Sequence, residues 1–347
     1  MKAIFVLLLA ILCSVGVSAQ QQPPPVVPEV TVYGCPLHVD VQSKVAGKCP
    51  KCGATLVAMQ PGSQDGFYTC PMHPDVQSTK PGECPKCKMK LVKAAPPESG
   101  EYTVRMDTIP KVVKAGEKVR FKFAVFPPDK DEQVKEFGIL HDMPFHLFVV
   151  SQDLKHFAHI HPEKLSDGTF QIDTMLPEPG YYKIFCDYFP MGGTPQVTQL
   201  SLITANYSGD LVSSLPALKP DSSLTKTVDG VRFELTIGPE KPFAGKPAEL
   251  RYKLYDAKSG EPVRDLKPYL GAWGHTLVLN EEATDYLHSH PSEMLPEDVD
   301  RSKVQGGPDV VFETFFPHPG NYRIWSQFQR GENLITVSFT INVPRLH

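Results

Sequence analysis

The sequence predicts a mainly β protein: two small metal-knuckle domains followed by two seven-stranded β-sandwich domains. Three observations carry that expectation. A pattern of three cysteines and one histidine occurs twice, 35 residues apart. From Glu101 onward, short runs rich in Val, Ile, Phe and Tyr are bounded by Pro, Gly and Asp, which reads as strands. Within that strand-rich part a histidine pattern also occurs twice, 129 residues apart. With 35 prolines in 347 residues, long helices have little room.

In chain order, residues 1–19 read as a signal peptide. Lys2 precedes the apolar run Ala3 to Leu12, and Val17-Ser18-Ala19 offers a cleavage site before Gln20. The expectation is a cleaved signal and a periplasmic or secreted protein. Lipidation at Cys13 is one alternative, although Leu12 is a poor residue before a lipidated cysteine; an uncleaved anchor is the other, although the run is short for a span. No other run approaches spanning length, so an integral membrane protein is not expected. Residues 20–30 are Pro/Gln-rich and read as an extended linker. Residues 31–95 hold eight lysines against four acidic residues, and residues 96–347 hold 26 basic against 34 acidic ones. There is no long basic patch, so nucleic acid is not an expected partner.

The knuckle domains occupy residues 31–60 and 66–93. The first offers Cys35, His38, Cys49 and Cys52, the second Cys70, His73, Cys84 and Cys87. A C-x-x-H pair and a C-x-x-C pair joined by ten residues can bring four ligands into a tetrahedron. Pro71 and Pro85, each just after a first cysteine, favour the tight turn this needs. The second copy adds Met72 and Met89, where the first has Leu37 and Ala54. Thioethers favour Cu(I), so the second copy is expected to be the softer and the first more zinc-like. Segments this small have too little core to fold without metal. Plain zinc ribbons that hold metal only to fold are the blander reading. A disulfide framework is another, suited to an exported chain, and it would leave His38 and His73 unexplained.

Tyr68 to Leu91 resembles the small heavy-metal-binding domain at the N-terminus of some copper-type P-type ATPases and some periplasmic efflux adaptors, through YTCPMHP…PG-CPKC-M-L. The resemblance implies Cys70, Met72, His73, Cys84, Cys87 and Met89 as metal ligands or near-ligands. It implies metal ions as partners and, beyond them, a metal efflux or transport protein. The upstream copy departs from the pattern at Leu37 and Ala54. The absence of spanning runs excludes a transporting ATPase, and the absence of a long heptad-bearing hairpin disfavours an adaptor.

AAPPESG (94–100) leads into the first sandwich, residues 101–205. Its expected strands are Tyr102–Ile109, Lys118–Phe126, His146–Ser151, Phe157–Ile160, Thr169–Leu176, Tyr181–Tyr188 and Gln196–Thr204. A Ser/Pro-rich linker, 206–225, precedes the second sandwich, 226–345. Ala115-Gly116, His146, His159 and His161 recur 129 residues on as Ala244-Gly245, His275, His288 and His290. PEPGYYKIF (177–185) recurs as PHPGNYRIW (317–325) at an offset of 140, which places an eleven-residue insertion within Pro291 to Pro308.

Each sandwich thus carries H-(x)12-H-x-H. A hairpin centred on Asp153-Leu154 would set Ser151 opposite His156 and His146 opposite His161, with His159 and His161 on one face. Three imidazoles on one face suit Zn²⁺ or Cu²⁺; packed, hydrogen-bonded strand histidines are the alternative. The first sandwich adds His141, Met143, Cys186 and Met191, whereas the second has Leu270, Ala272 and Ser326 at the positions of the first three. A histidine followed by Cys-x4-Met is similar to a blue-copper site of the cupredoxin family, but the usual histidine between them is missing in CDYFPM. Through HLFVVS-x-DL-x-x-FAHIHP and LPEPGYY the sandwiches resemble cupredoxin- or immunoglobulin-like domains of secreted bacterial proteins of unknown function.

The expected function is an exported protein that sequesters or hands on a heavy-metal ion, copper or zinc. The alternatives are a partner-binding β-sandwich protein with structural zinc knuckles and, ranked lower, a zinc-dependent hydrolase with Asp142 or Asp187 as its acid or base. An enzyme is not the expected reading.

Overall fold

The computed structural model describes residues 101–345 except 141, 192, 206, 210–215, 292–294, 296–299 and 302. Before residue 101 it describes 32–34, 42–43, 48, 57–59, 67–70, 73–78, 82–84 and 88–94. The described residues form strands, turns and loops and no helix, so none of them lies in a helix long and apolar enough to cross a membrane.

The 35-residue repeat is visible in the backbone. Strands β1 (Val32–Gly34), β2 (Gln42–Ser43) and β3 (Val57–Met59) pair in the order β2-β1-β3. Strands β4 (Phe67–Cys70), β5 (His73–Ser78) and β6 (Val92–Ala94) pair in the order β5-β4-β6. In each sheet the first strand lies in the middle, and both pairings are antiparallel.

The first sandwich comprises β7 (Thr103–Ile109), β8 (Lys118–Phe126), β9 (Phe137–Gly138), β10 (Phe145–Ser151), β11 (Phe157–Ile160), β12 (Glu163–Lys164), β13 (Phe170–Met175), β14 (Tyr181–Pro190) and β15 (Gln196–Ile203). One sheet runs β12-β13-β8-β7 and the other β11-β10-β14-β15, with β9 also on β14. All seven strands expected from the sequence are present. The two-residue strands β9 and β12 are additions, too short to carry a period. Alternation decides which side faces in: along β8, Val119, Phe121, Phe123 and Val125 are buried while Lys118 and Arg120 are exposed.

The second sandwich comprises β16 (Thr225–Val228), β17 (Val231–Gly238), β18 (Pro247–Asp256), β19 (Leu266–Lys267), β20 (His275–Asn280), β21 (Tyr286–Ser289), β22 (Asp309–Phe315), β23 (Gly320–Arg330) and β24 (Asn333–Val343). Its sheets run β16-β17-β18-β22 and β21-β20-β23-β24, with β19 also on β23. The insertion lies between β21 and β22. Its Leu295 joins the second core, and its Arg301 forms an ion pair with Asp142 of the first sandwich. Tyr182 and Tyr322 each donate a hydroxyl hydrogen bond to a carbonyl four residues upstream, Glu178 O at 2.8 Å and His318 O at 2.7 Å. This is the corner lock of immunoglobulin-like sandwiches.

The strands that carry the histidines depart from alternation. Strands β10 and β20 are buried on both faces. Their inward residues, among them Phe145, Leu147, Val149 and Val278, join the two separate sandwich cores. Their outward residues meet each other in a third core of Phe148, Val150, Phe185, Leu277, Leu279 and Trp325. There Phe157 stacks on Trp325, with ring centroids 5.1 Å apart, and Tyr286 stacks on Phe185 at 5.2 Å. Phe157 and Tyr286 are repeat equivalents, as are Phe185 and Trp325, so a local two-fold relates the two stacks. Fully burying a large apolar side chain is worth roughly 1.5–3 kcal/mol, so this layer binds the sandwiches as a core does. Leu154 (φ 56°) and Ala283 (φ 51°) take the left-handed conformation at matching hairpin turns. Both are buried in this layer, which holds a backbone state that non-glycine residues otherwise avoid.

Candidate metal centres

The β10–β11 register sets Phe148 opposite His159 and Leu147 opposite Ile160. Ser151 N–H donates to His156 O at 3.1 Å, so the hairpin closes as the sequence predicts. His146, His159 and His161 therefore share the outward face of their sheet. His146 Nδ1 lies 3.1 Å from His159 Nε2 and 3.2 Å from His161 Nε2, and the last two are 3.0 Å apart.

Neighbours decide which nitrogens carry protons. His146 Nε2–H donates to the Leu140 carbonyl at 2.8 Å. His159 Nδ1–H donates to Gln327 Oε1 at 2.9 Å. Carbonyl oxygens only accept, so in the neutral rings His146 Nδ1 and His159 Nε2 present lone pairs to each other. Two lone pairs at 3.1 Å repel, and either a metal ion or the Nε2–H of a neutral His161, 3.2 and 3.0 Å away, relieves that repulsion. A metal ion here would be held by His146 Nδ1, His159 Nε2 and His161 Nε2, whose mutual spacing suits metal–nitrogen bonds of about 2.0–2.1 Å.

The second triad repeats the logic. His275 Nε2–H donates to the Tyr269 carbonyl at 2.9 Å, and His288 Nδ1–H donates to Asp187 Oδ2 at 3.0 Å. The lone pairs left are His275 Nδ1 and His288 Nε2. The ligand nitrogens of His275, His288 and His290 all lie within 4.8 Å of one another. His275 Nδ1 is buried and has no hydrogen-bond partner among the described residues.

Burial pushes His146, His159, His161, His275 and His288 toward the neutral form. It lowers the pKa of His146 against the pull of Asp187. Burial and the neighbouring imidazoles hold His159 and His288 well below 6.5. His161 is pushed down to about 3, first by burial and then by His146 and His275, and His275 to about 4 by burial. Neutral imidazole is the metal-binding form, so the chemistry of the donor set fits a metal ion better than a proton.

Cys186 is not part of this set. On β14 it pairs with Leu147 while Asp187 pairs with His146, so its side chain enters the core of its own sandwich. It is completely buried, and burial raises its thiol pKa well above the ordinary value. Both features suit an inert core residue. His141 lies outside the described residues.

Of the knuckle positions, Cys35, His38, Cys49, Cys52, Met72 and Cys87 lie outside the described residues. The backbone pairs Cys70 with His73 at a bulge between β4 and β5. Cys84 is buried, and a tight turn follows it: Cys84 N–H donates to Met89 O at 2.7 Å and Lys88 N–H to Cys84 O at 2.8 Å. Lys88 takes a positive φ of 62° there. Met89 is exposed at 39%.

Residues 95–205 and 226–345 each match one family, described as Domain of unknown function (DUF8832). The chain belongs to this family. Each DUF8832 copy spans one sandwich and one triad. Residues 32–59 and 67–94 match the Heavy metal binding domain, in tandem. No curated protein matches the chain. Among solved structures, the Escherichia coli adhesin FdeC is similar at 15% identity over 74% of this chain and 67% of that one, with a TM-score of 0.22. A two-domain fibronectin type III segment of chicken tenascin matches at 10% identity over 70% and 98%, with a TM-score of 0.19. A Salmonella alpha-2-macroglobulin matches at 12% identity over 91% and 19%, with a TM-score of 0.20. At such scores none of them speaks to what the DUF8832 copies do.

Sequence reasoning missed Gln327 and the carbonyls of Leu140 and Tyr269. It singled out Asp187, but as an acid or base rather than as the acceptor for His288. One signal was present: the offset of 140 makes Asp187 and Gln327 repeat equivalents.

Proposed function

We propose that this chain is an exported heavy-metal-binding protein that sequesters copper- or zinc-type ions in the cell envelope, or hands them on to a metal efflux or transport protein. The observation that carries the reading is the convergence of His146 Nδ1, His159 Nε2 and His161 Nε2 within 3.2 Å, with neighbours fixing the lone pairs of His146 and His159 inward. The tandem Heavy metal binding domain supports it independently. The signal-like N-terminus supports export. Knuckles rich in sulfur and triads of imidazole grade the donors from soft to borderline, which suits handover between unlike sites. On this reading the protein binds metal rather than transforming a substrate, and Asp187 serves an imidazole instead of a reacting group.

The test is metal content and competition titration of the full chain with Cu²⁺ and Zn²⁺. The reading predicts micromolar or tighter sites beyond those of the knuckles, lost in a His146→Ala/His159→Ala/His275→Ala/His288→Ala variant. Metal confined to the cysteine segments, with that variant binding as the parent does, would favour a partner-binding protein with structural zinc instead.

A further inference from the structure

We propose that the six histidines form a single two-metal centre lying across the contact between the sandwiches, each ion held by one triad and each triad oriented by the other sandwich. The proposal rests on the metal-binding reading above and adds pairing and crossed support to it.

Proximity is the first observation. The His146 ring centroid lies 5.2 Å from that of His288, and the His159 centroid lies 5.5 Å from His275 and 5.6 Å from His288. Each triad's own ring pairs are 4.3–6.0 Å apart, so the two sets touch as closely as their members do. His288 offers a ring nitrogen within 4.8 Å of those of His146 and His159, and likewise one within 4.8 Å of those of His275 and His290. Two ions held by such adjoining sets of nitrogens would be close neighbours, as in paired-metal sites.

Crossed support is the second. Gln327 belongs to the second sandwich and accepts from His159 of the first; Asp187 belongs to the first and accepts from His288 of the second. The two acceptors are repeat equivalents, and so are the two histidines. Tyr286 also donates its hydroxyl to Asp187 at 3.0 Å, which fixes the carboxylate between the domains. The partner of a ligand imidazole sets its tautomer and raises its basicity, and its loss costs about 10–100-fold in metal affinity. A lone sandwich would have its histidines but lack that partner. The two acceptors also differ in charge. A carboxylate behind His288 and a neutral amide behind His159 make the second triad the tighter of the two.

The surroundings fit. The stacked pairs Phe157–Trp325 and Phe185–Tyr286 wall the centre on its apolar side. His161 also lines a surface cavity of about 260 Å³ with Glu163, Gln171 and the Arg120–Asp173 ion pair, so the cluster is reached from solvent on that side.

The experiment loads the full chain with Zn²⁺ to fill the thiolate sites, adds Cu²⁺, and records stoichiometry, competition affinity and the Cu²⁺ EPR spectrum. Two Cu²⁺ per chain are expected, with a spin–spin interaction that disappears in His159→Ala/His161→Ala, leaving one isolated ion. Asp187→Ala, in the first sandwich, should weaken the second-triad ion about 10–100-fold, with Asp187→Asn losing less. Gln327→Glu should tighten the first-triad ion and change its EPR parameters, a gain that a merely structural residue would not give. Thermal melting of the metal-free variants checks that they fold. Two magnetically isolated ions, indifferent to Asp187→Ala and Gln327→Glu, would overturn the paired centre while leaving metal binding standing. No Cu²⁺ bound outside the knuckles would overturn both.

Discussion

The two sandwiches carry the same triad on the same hairpin, yet they differ in the residues that back it. Asp187 in the first stands where Gln327 stands in the second, Phe148 where Leu277 stands, and Cys186 where Ser326 stands. Phe148 stacks on its own sandwich's His159, centroids 4.2 Å apart, and Leu277 gives His288 no such ring. Cys186 is enclosed by apolar side chains, whereas Ser326 exchanges hydrogen bonds with Thr276 and Tyr252 at 2.8 Å each. The imidazoles and the two ring stacks of the apolar layer are matched in both copies. The inner core and the acceptors behind the histidines have diverged, and each diverged acceptor serves the opposite copy. A duplicated fold here yields one centre with two unequal halves.

The largest expected effect tests the two-fold match. Trp325→Ala and Phe185→Ala each remove one ring of an equivalent stack, at 3% and 2% exposure. Each should cost about 3–5 kcal/mol by chemical denaturation. If one variant is near neutral, the layer between the sandwiches is lopsided rather than symmetric.

A smaller effect separates the two inner cores. Cys186→Ser buries a hydroxyl in an apolar site and should cost about 1–3 kcal/mol while metal stoichiometry stays at the parent value. A lost copper equivalent would return Cys186 to the ligand set, contrary to its position in the core.

Acidification sharpens the comparison of the triads. His161 is held down to about 3 and His275 to about 4 when folded, and both titrate near 6.5 when unfolded. Below 6.5 the unfolded chain binds the extra protons, so stability is fully present above about 6.5 and is lost as pH falls. The loss from His275 should end near pH 4 and that from His161 near pH 3. Urea midpoints of metal-free protein should fall from pH 7 to pH 4.5, and less steeply in His275→Gln. A midpoint independent of pH would contradict the neutral, buried state of these rings.

The smallest expected effect concerns the knuckles. Met72→Leu with Met89→Ala converts the second copy to the first copy's residues and should lower Cu(I) affinity toward the first copy's value while sparing Zn²⁺. Unchanged Cu(I) competition would remove the methionines from any ligand role.

Much of this was legible in the sequence, and the reason is periodicity. The strand runs, the hairpin that sets Ser151 against His156, and the common face of His146, His159 and His161 all follow from a period of two and a short turn. What stayed hidden was the meeting of the two faces, because strand periodicity describes one sheet and not what covers it. The trace it left was indirect. FHLFVV and HTLVLN run without the polar alternation that an exposed sheet face shows, and Phe157, Phe185, Tyr286 and Trp325 point outward from their sheets. Gln327 could be found only through its repeat partner, since a glutamine in a strand has no chemical signature of its own.

The central claim is that metal sits on imidazoles between the sandwiches. Anomalous-difference maps from crystals of the full chain grown with Zn²⁺ or Cu²⁺ test it most directly. The account predicts two peaks within bonding distance of the six rings, one against His146, His159 and His161 and one against His275, His288 and His290. Peaks at the cysteine segments alone, with the histidine cluster unchanged at saturating metal, would contradict it.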